Sequence, residues 1–251
     1  MSEKIFITGA SSGIGAALAI EFAKRGATLG ISARRSEKLQ SIAQKCKESG
    51  ATDVFTYTVD VTNQDSSEST AKEFIASANG IDIIIANAGV AYSDKISSGE
   101  ATQINQVFST NVLGVTNSII PFVPTMKENS SGKIVIISSI ASFRPIAFHG
   151  GYSASKSAVR MLADSWRMAL KKYNIQLTAI CPGFIVSEMT GENKFPMPFL
   201  LETEDAARKM VKAIGLKLAI ELMITIFPDE FSFIVGTKGL IELVTPRILV
   251  E

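Results

Sequence analysis

Tyr152 and Lys156 stand four residues apart in a segment where Ala158, Met161, Leu162, Ser165, Ala169 and Leu170 recur at helical spacing. Both side chains therefore leave one face of a helix. A phenol titrates near pH ~10, too high for efficient proton exchange around neutrality, and an ammonium held beside it favours the phenolate. Lys156 is placed to be that ammonium. Ser139, at the end of an apolar run, can steady an oxygen on which negative charge develops. Ser138 should face the other way, because consecutive strand residues point to opposite faces. The single histidine, His149, precedes Tyr152 by three residues and has no necessary task beside a tyrosine–lysine pair, so a pocket-wall or loop position is expected.

A second group could hold phosphate. Gly9-Ala10-Ser11-Ser12-Gly13-Ile14-Gly15 follows an apolar run and leads into Ala17, Leu18, Phe22 and Ala23 at helical spacing. Cβ atoms in such a turn would keep a pyrophosphate away from the backbone N–H groups, and the helix start adds partial positive charge.

These residues need a scaffold. Near-continuous apolar, β-branched runs at 5–8, 28–32, 53–59, 81–86, 133–138, 176–181 and 222–227 read as strands buried on both faces. Helix-period segments at 13–24, 37–48, 66–78, 104–127, 152–172 and 202–216 alternate with them. That alternation predicts an α/β fold, one Rossmann-type doubly wound parallel sheet of about seven strands with helices on both faces. No linker, repeat or low-complexity tract divides the 251 residues, so one domain is expected, with a substrate lid at about 188–204 and an atypical tail at about 228–251.

The motifs also follow one another in a familiar order. Thr8 to Gly15 resembles the cofactor signature of the short-chain dehydrogenase/reductase family. Asp60-Val61 resembles its adenine-binding pair, and Asn87-Ala88-Gly89 its sheet-stabilising element. Asn111, Ser138-Ser139, Tyr152-Ser153-Ala154-Ser155-Lys156 and Pro182-Gly183 come next at compatible spacings, so the resemblance spans about residues 4–190. It implies an oxidoreductase of the single-domain type, moving a hydride between nicotinamide and a carbonyl or secondary alcohol. Tyr152 would then exchange the proton, Lys156 would also bind the nicotinamide ribose, and Ser139 would hold the substrate oxygen. Asn111 would keep a water in relay with Lys156. Pro182, Gly183 and Ile185 would grip the carboxamide. Ser187 stands where many relatives carry threonine, which keeps the hydroxyl.

The choice of dinucleotide falls at the end of the second strand, where an acidic side chain would bond the ribose 2′-OH. Ser32-Ala33-Arg34-Arg35 offers two guanidinium groups instead, which suit a 2′-phosphate, so NADP is expected rather than NAD. For the substrate, Phe184, Met189, Phe195, Met197, Phe199 and Leu200, with Phe143 and Phe148, could line an apolar pocket suited to a lipid-like carbonyl. Two rivals remain: reduction of a 3-oxoacyl chain on a carrier protein, and a non-catalytic dinucleotide sensor.

Composition narrows the partners. Lys+Arg number 25 against Asp+Glu 24, which leaves no basic footprint for nucleic acid. Cys46 and Cys181 lack metal-ligand spacing, so no metal is expected, and two ordinary thiols fit a reducing, cytoplasmic setting. The tail replaces the family's Asp-Gly-Gly ending with Pro228-Asp229-Glu230, which argues against the usual tetramer and leaves a dimer through segments 104–127 and 152–172. Charges and glycines interrupt the tail, so it is not a transmembrane span, although it admits peripheral membrane contact.

Overall fold

The computed structural model describes residues 2–191 and 197–215, together with the backbone of 221–227 and 230–232. Six strands with described side chains are β1 (Lys4–Thr8), β2 (Thr28–Ala33), β3 (Asp53–Thr58), β4 (Ile83–Ala86), β5 (Gly132–Ile137) and β6 (Ile175–Pro182). The backbone of β7 (Glu221–Phe227) extends the parallel sheet beside β6, and β8 (Glu230–Ser232) closes its edge antiparallel. The helices are α1 (Gly13–Ala23), α2 (Ser36–Glu48), α3 (Gln64–Ala78), α4 (Thr102–Phe108), α5 (Gly114–Ile119), α6 (Val123–Glu128), α7 (Gly150–Leu170) and α8 (Thr203–Gly215).

Strand order is β3-β2-β1-β4-β5-β6-β7-β8. The chain leaves β1 toward one edge of the sheet and resumes at β4 on the other side of β1. The connections at that point diverge and open a crevice at the carboxyl ends of the strands. Ile5 of β1 lies opposite both Leu29 of β2 and Ile83 of β4, so the first strand is central.

Alternate residues of each strand enter different cores, which is why the runs show no polar face. Ile5 and Ile7 join Leu18 and Phe22 of α1, Leu39 of α2 and Met210 of α8. Phe6 points to the opposite core, with Phe74 of α3, Phe122, and Val159 of α7. The Phe6 ring lies 5.2 Å from Phe74 and 5.1 Å from Phe122 between centroids. A Cβ on Gly30 would come within 2.5 Å of Phe6 and 2.6 Å of Phe74, so only glycine lets β2 pass beneath this aromatic group. Each such side chain, fully buried, contributes about 1.5–3 kcal/mol.

The helix expected over 104–127 is not regular. It is assembled from α4, a π-helical turn (Ser109–Leu113), α5, a 3₁₀ turn (Ile120–Phe122) and α6. Pro121 and Pro124 sit in the first positions of the last two pieces, where their missing N–H groups interrupt the ladder. Thr102–Glu128 is long and apolar enough to cross a bilayer, with mean hydropathy 1.2, yet Val115, Ile119, Phe122 and Met126 are buried against the sheet. Of the expected lid, 192–196 lie outside the described residues, as does the tail apart from the backbone of 230–232.

Candidate active site

The crevice between β1 and β4 is a cleft of about 390 Å³. Gly9, Ser11, Ser12, Gly13 and Ile14 line one wall. Gly9 has φ +68° and Gly13 φ +55°, the left-handed region that glycine enters without cost. A Cβ on Gly9 would stand 2.7 Å from Ala88 Cα, so the turn lies directly against the segment after β4. Asn87 fastens the two, donating from Nδ2 to the carbonyls of Thr8 at 3.0 Å and Gly9 at 3.2 Å. Thr8 Oγ1 accepts from the N–H groups of Asn87 and Ala88. Gly15, expected as a cofactor contact, does not line the cleft. Its absent side chain makes room for Asn87 Nδ2, which a Cβ would meet at 2.4 Å. Ser12 opens α1 without a side-chain cap, which leaves the first N–H groups of that helix without a side-chain acceptor.

At the far end of this wall, Arg34 and Arg35 behave differently. Arg34 Nη1 lies 3.8 Å from Asp60 Oδ2, with its side chain 64% exposed. Arg35 turns inward, donating to Ser11 Oγ from Nη2 at 3.1 Å and to Ser12 Oγ at 2.6 Å. Asp60 Oδ1 accepts from Thr62 N–H at 3.0 Å and Thr62 Oγ1 at 2.8 Å, which fixes the Asp60-Val61 corner on the opposite wall. Gly89 completes that side: a Cβ there would stand 3.2 Å from Asn111 Oδ1 and 3.5 Å from Lys156 Nζ. The two polar groups thus converge on the space beside Gly89.

Tyr152, Lys156 and Ser139 face one another at the inner end of the cleft, with Pro182 at the end of β6 and Gly183 and Ile185 just beyond it. Ser139 shares a hydrogen bond with the Tyr152 hydroxyl. Ser138 Oγ donates instead to the Lys156 carbonyl at 3.0 Å, tying β5 to α7. Lys156 Nζ donates to Ile137 O at 2.8 Å and lies 5.7 Å from the centre of the Tyr152 ring. Asp94 caps α7, accepting from Gly151 N–H at 3.1 Å, and so fixes the helix start next to Tyr152. His149 precedes that helix, with Nδ1 3.1 Å from Ala147 O, in the loop position expected. Asn111 lies behind the cleft wall, in the π turn, fully buried. Its amide accepts from Val90 N–H at 2.8 Å and donates to Val90 O at 2.9 Å and Ser155 Oγ at 3.0 Å.

The electrostatics correct one expectation. Burial pushes the Tyr152 phenol up, and the Ser139 hydrogen bond offsets this only in part. The lowering expected from Lys156 does not prevail over this burial. Burial brings Lys156 itself down from 10.5 to about 8. From about pH 8 to 10, the unfolded chain keeps a proton on this lysine that the fold has released, so this group makes stability rise with pH. Urea unfolding at pH 7.5 and 9.5 should show the wild type gaining roughly 1–2 kcal/mol relative to Lys156→Met. Equal changes in both proteins would mean that Lys156 stays charged in the fold.

The cleft also holds residues that sequence reasoning missed. Val90, Thr110, Glu188 and Thr190 line it, and Lys38 stands next to Glu188. Lys38, one turn beyond Arg34-Arg35, carried a local charge signal; Glu188, about 150 residues away in sequence, carried none. Of the apolar substrate wall, only Met189 lines the described cleft. Phe143 instead packs under Arg160, 4.3 Å from ring centre to guanidinium, and Phe148 is exposed with φ +61°. These two flank a loop that the backbone turns outward, which sequence spacing did not reveal. Phe195 lies outside the described residues.

Comparison with known proteins gives a consistent picture. The short chain dehydrogenase family model matches residues 3–196. An uncharacterised oxidoreductase from Myxococcus xanthus is 38% identical, over 83% of this chain and 82% of its own. An alcohol dehydrogenase from the archaeon Thermococcus sibiricus, complexed with 5-hydroxy-NADP, superposes with a TM-score of 0.81 at 26% identity, over 89% of this chain and 96% of that one. Levodione reductase superposes equally well, with a TM-score of 0.81 at 26% identity, over 88% of this chain and 95% of its own.

Proposed function

Since this chain belongs to the short-chain dehydrogenase family, and is an oxidoreductase acting on CH–OH or C=O groups, we propose that it reduces an apolar carbonyl with NADPH. One observation carries the cofactor choice: Arg35 is held against Ser11 and Ser12, so a guanidinium and two hydroxyls border the glycine turn, with Arg34 beside them and no carboxylate at the end of β2. The uncapped start of α1 suits the pyrophosphate, and Asp60 and Val61 suit the adenine side.

The bound nicotinamide supplies the hydride. Tyr152 Oη donates a proton to the carbonyl oxygen in reduction and takes one from the alcohol in oxidation. Ser139 Oγ steadies the same oxygen while charge develops on it. Lys156 Nζ would hold the cofactor ribose and favour the phenolate, and Asn111 holds Val90 and Ser155 around it. Among the described lining residues the cations are Arg34, Arg35 and Lys156, which offer no separate handle for a carboxylate or phosphate on the substrate. That favours an uncharged apolar substrate over a carrier-bound acyl chain. Leu113 and Ile120, in the turns that flank α5, and Met161 and Met168 on α7 are exposed, which supports a dimer through that face.

A panel of ketones, aldehydes and secondary alcohols, offered with each dinucleotide and followed at the nicotinamide absorbance band, tests this. Turnover of apolar ketones with NADPH is the expected result. Faster turnover with NADH, or rapid turnover restricted to carrier-bound 3-oxoacyl chains, would overturn it.

A further inference from the structure

Glu188, in the segment after β6, reaches across the cleft mouth to the residues at the start of α2. Its carboxylate accepts from Arg35 Nη1 at 2.7 Å, from Lys38 Nζ at 2.6 Å and from Ser12 Oγ at 3.2 Å. Arg35 also donates to Ser11, so one carboxylate sits in a basic and hydroxyl-lined cradle built by two loops and a helix start. Cations are disfavoured at a helix N-terminus, and the carboxylate relieves that repulsion. The same segment lies over the glycine turn, where the Cβ of Ser187 stands 3.4 Å from where a Cβ on Gly13 would lie, and Ser187, Met189 and Thr190 line the cleft.

We propose that Glu188 discriminates between the dinucleotides: its carboxylate occupies the anion cradle of Arg35, Lys38 and Ser12, and a ribose 2′-phosphate displaces it whereas a 2′-hydroxyl does not. The proposal rests on the assignment of Arg35 to the 2′-phosphate. A phosphate brings about −1.5 to −2 charge and three acceptor oxygens, which a bidentate guanidinium prefers to a single carboxylate. The internal ion pairs are exposed and therefore weak enough to exchange. Glu188 thus lowers NADPH affinity as an internal competitor, and NADH binds with the latch still engaged.

Dissociation constants of NADPH, NADH and 2′,5′-ADP, measured by calorimetry on the full chain, test this with Glu188→Gln and Glu188→Ala. Both substitutions are at an exposed side chain and leave the core untouched. NADPH and 2′,5′-ADP should bind about 3- to 10-fold tighter in either variant, as expected when a weak surface pair is removed. NADH should stay within about twofold. In an Arg35→Ala background the gain should vanish. Unchanged or weaker 2′,5′-ADP binding, or equal tightening of NADH, overturns the latch. Failure of the underlying NADP assignment is read separately, from wild-type protein that binds NADH as tightly as NADPH.

Discussion

Replacing Tyr152 by phenylalanine is expected to reduce turnover by about 10²–10⁴-fold while leaving NADPH affinity within about threefold. The substitution removes one oxygen and keeps the ring that stands beside Lys156. α7 keeps its Asp94 cap and its Ser138 tie to β5, so the cleft wall is preserved. What is lost is the hydroxyl that bonds Ser139 and stands one helical turn from an ammonium. Steady-state rates with an apolar ketone, set beside NADPH binding by fluorescence, separate the two effects. Full activity would show that another group supplies the proton, and a collapse of binding would show that the phenol acts through the fold.

Arg35→Ala is expected to weaken NADPH binding by about 10- to 100-fold, the range of a charge-assisted hydrogen bond to a phosphate, and NADH binding by less than about threefold. Arg34→Ala should shift the NADPH/NADH ratio in the same direction but less. The difference follows from orientation: Arg35 is anchored to Ser11 and Ser12, whereas Arg34 leans toward Asp60 across 3.8 Å with most of its side chain in solvent. A guanidinium already anchored by neighbouring hydroxyls has less rotamer freedom left to lose than an unanchored one. Titration of each variant with both dinucleotides decides; equal losses for NADPH and NADH would detach Arg35 from the 2′-phosphate.

Some of this was local and therefore legible. The strand ends fall within two residues of the apolar runs, because β1, β2, β4, β5 and β6 are covered on both faces and their burial leaves a continuous signal, whereas β3 is a partly exposed edge. The glycine turn was readable because positive φ and close backbone approach leave glycine little competition. Tyr152 and Lys156 share a helix face by spacing alone. The irregular helix around Asn111 was not legible: the helical spacing over 104–127 gives no sign of the π turn, and the partners of the Asn111 amide, Val90 and Ser155, lie far away in sequence.

The sequence by itself therefore determined the sheet, the turn that borders the phosphates, and which hydroxyl and ammonium share a helix. Only the tertiary structure decided where the polar groups point: Lys156 bonds Ile137 O, Gly15 packs against Asn87, and Arg35 meets Glu188 from 153 positions away. Periodicity and backbone conformation are properties of neighbouring residues, whereas a buried charge answers to whatever partners the folded chain brings within a few ångströms.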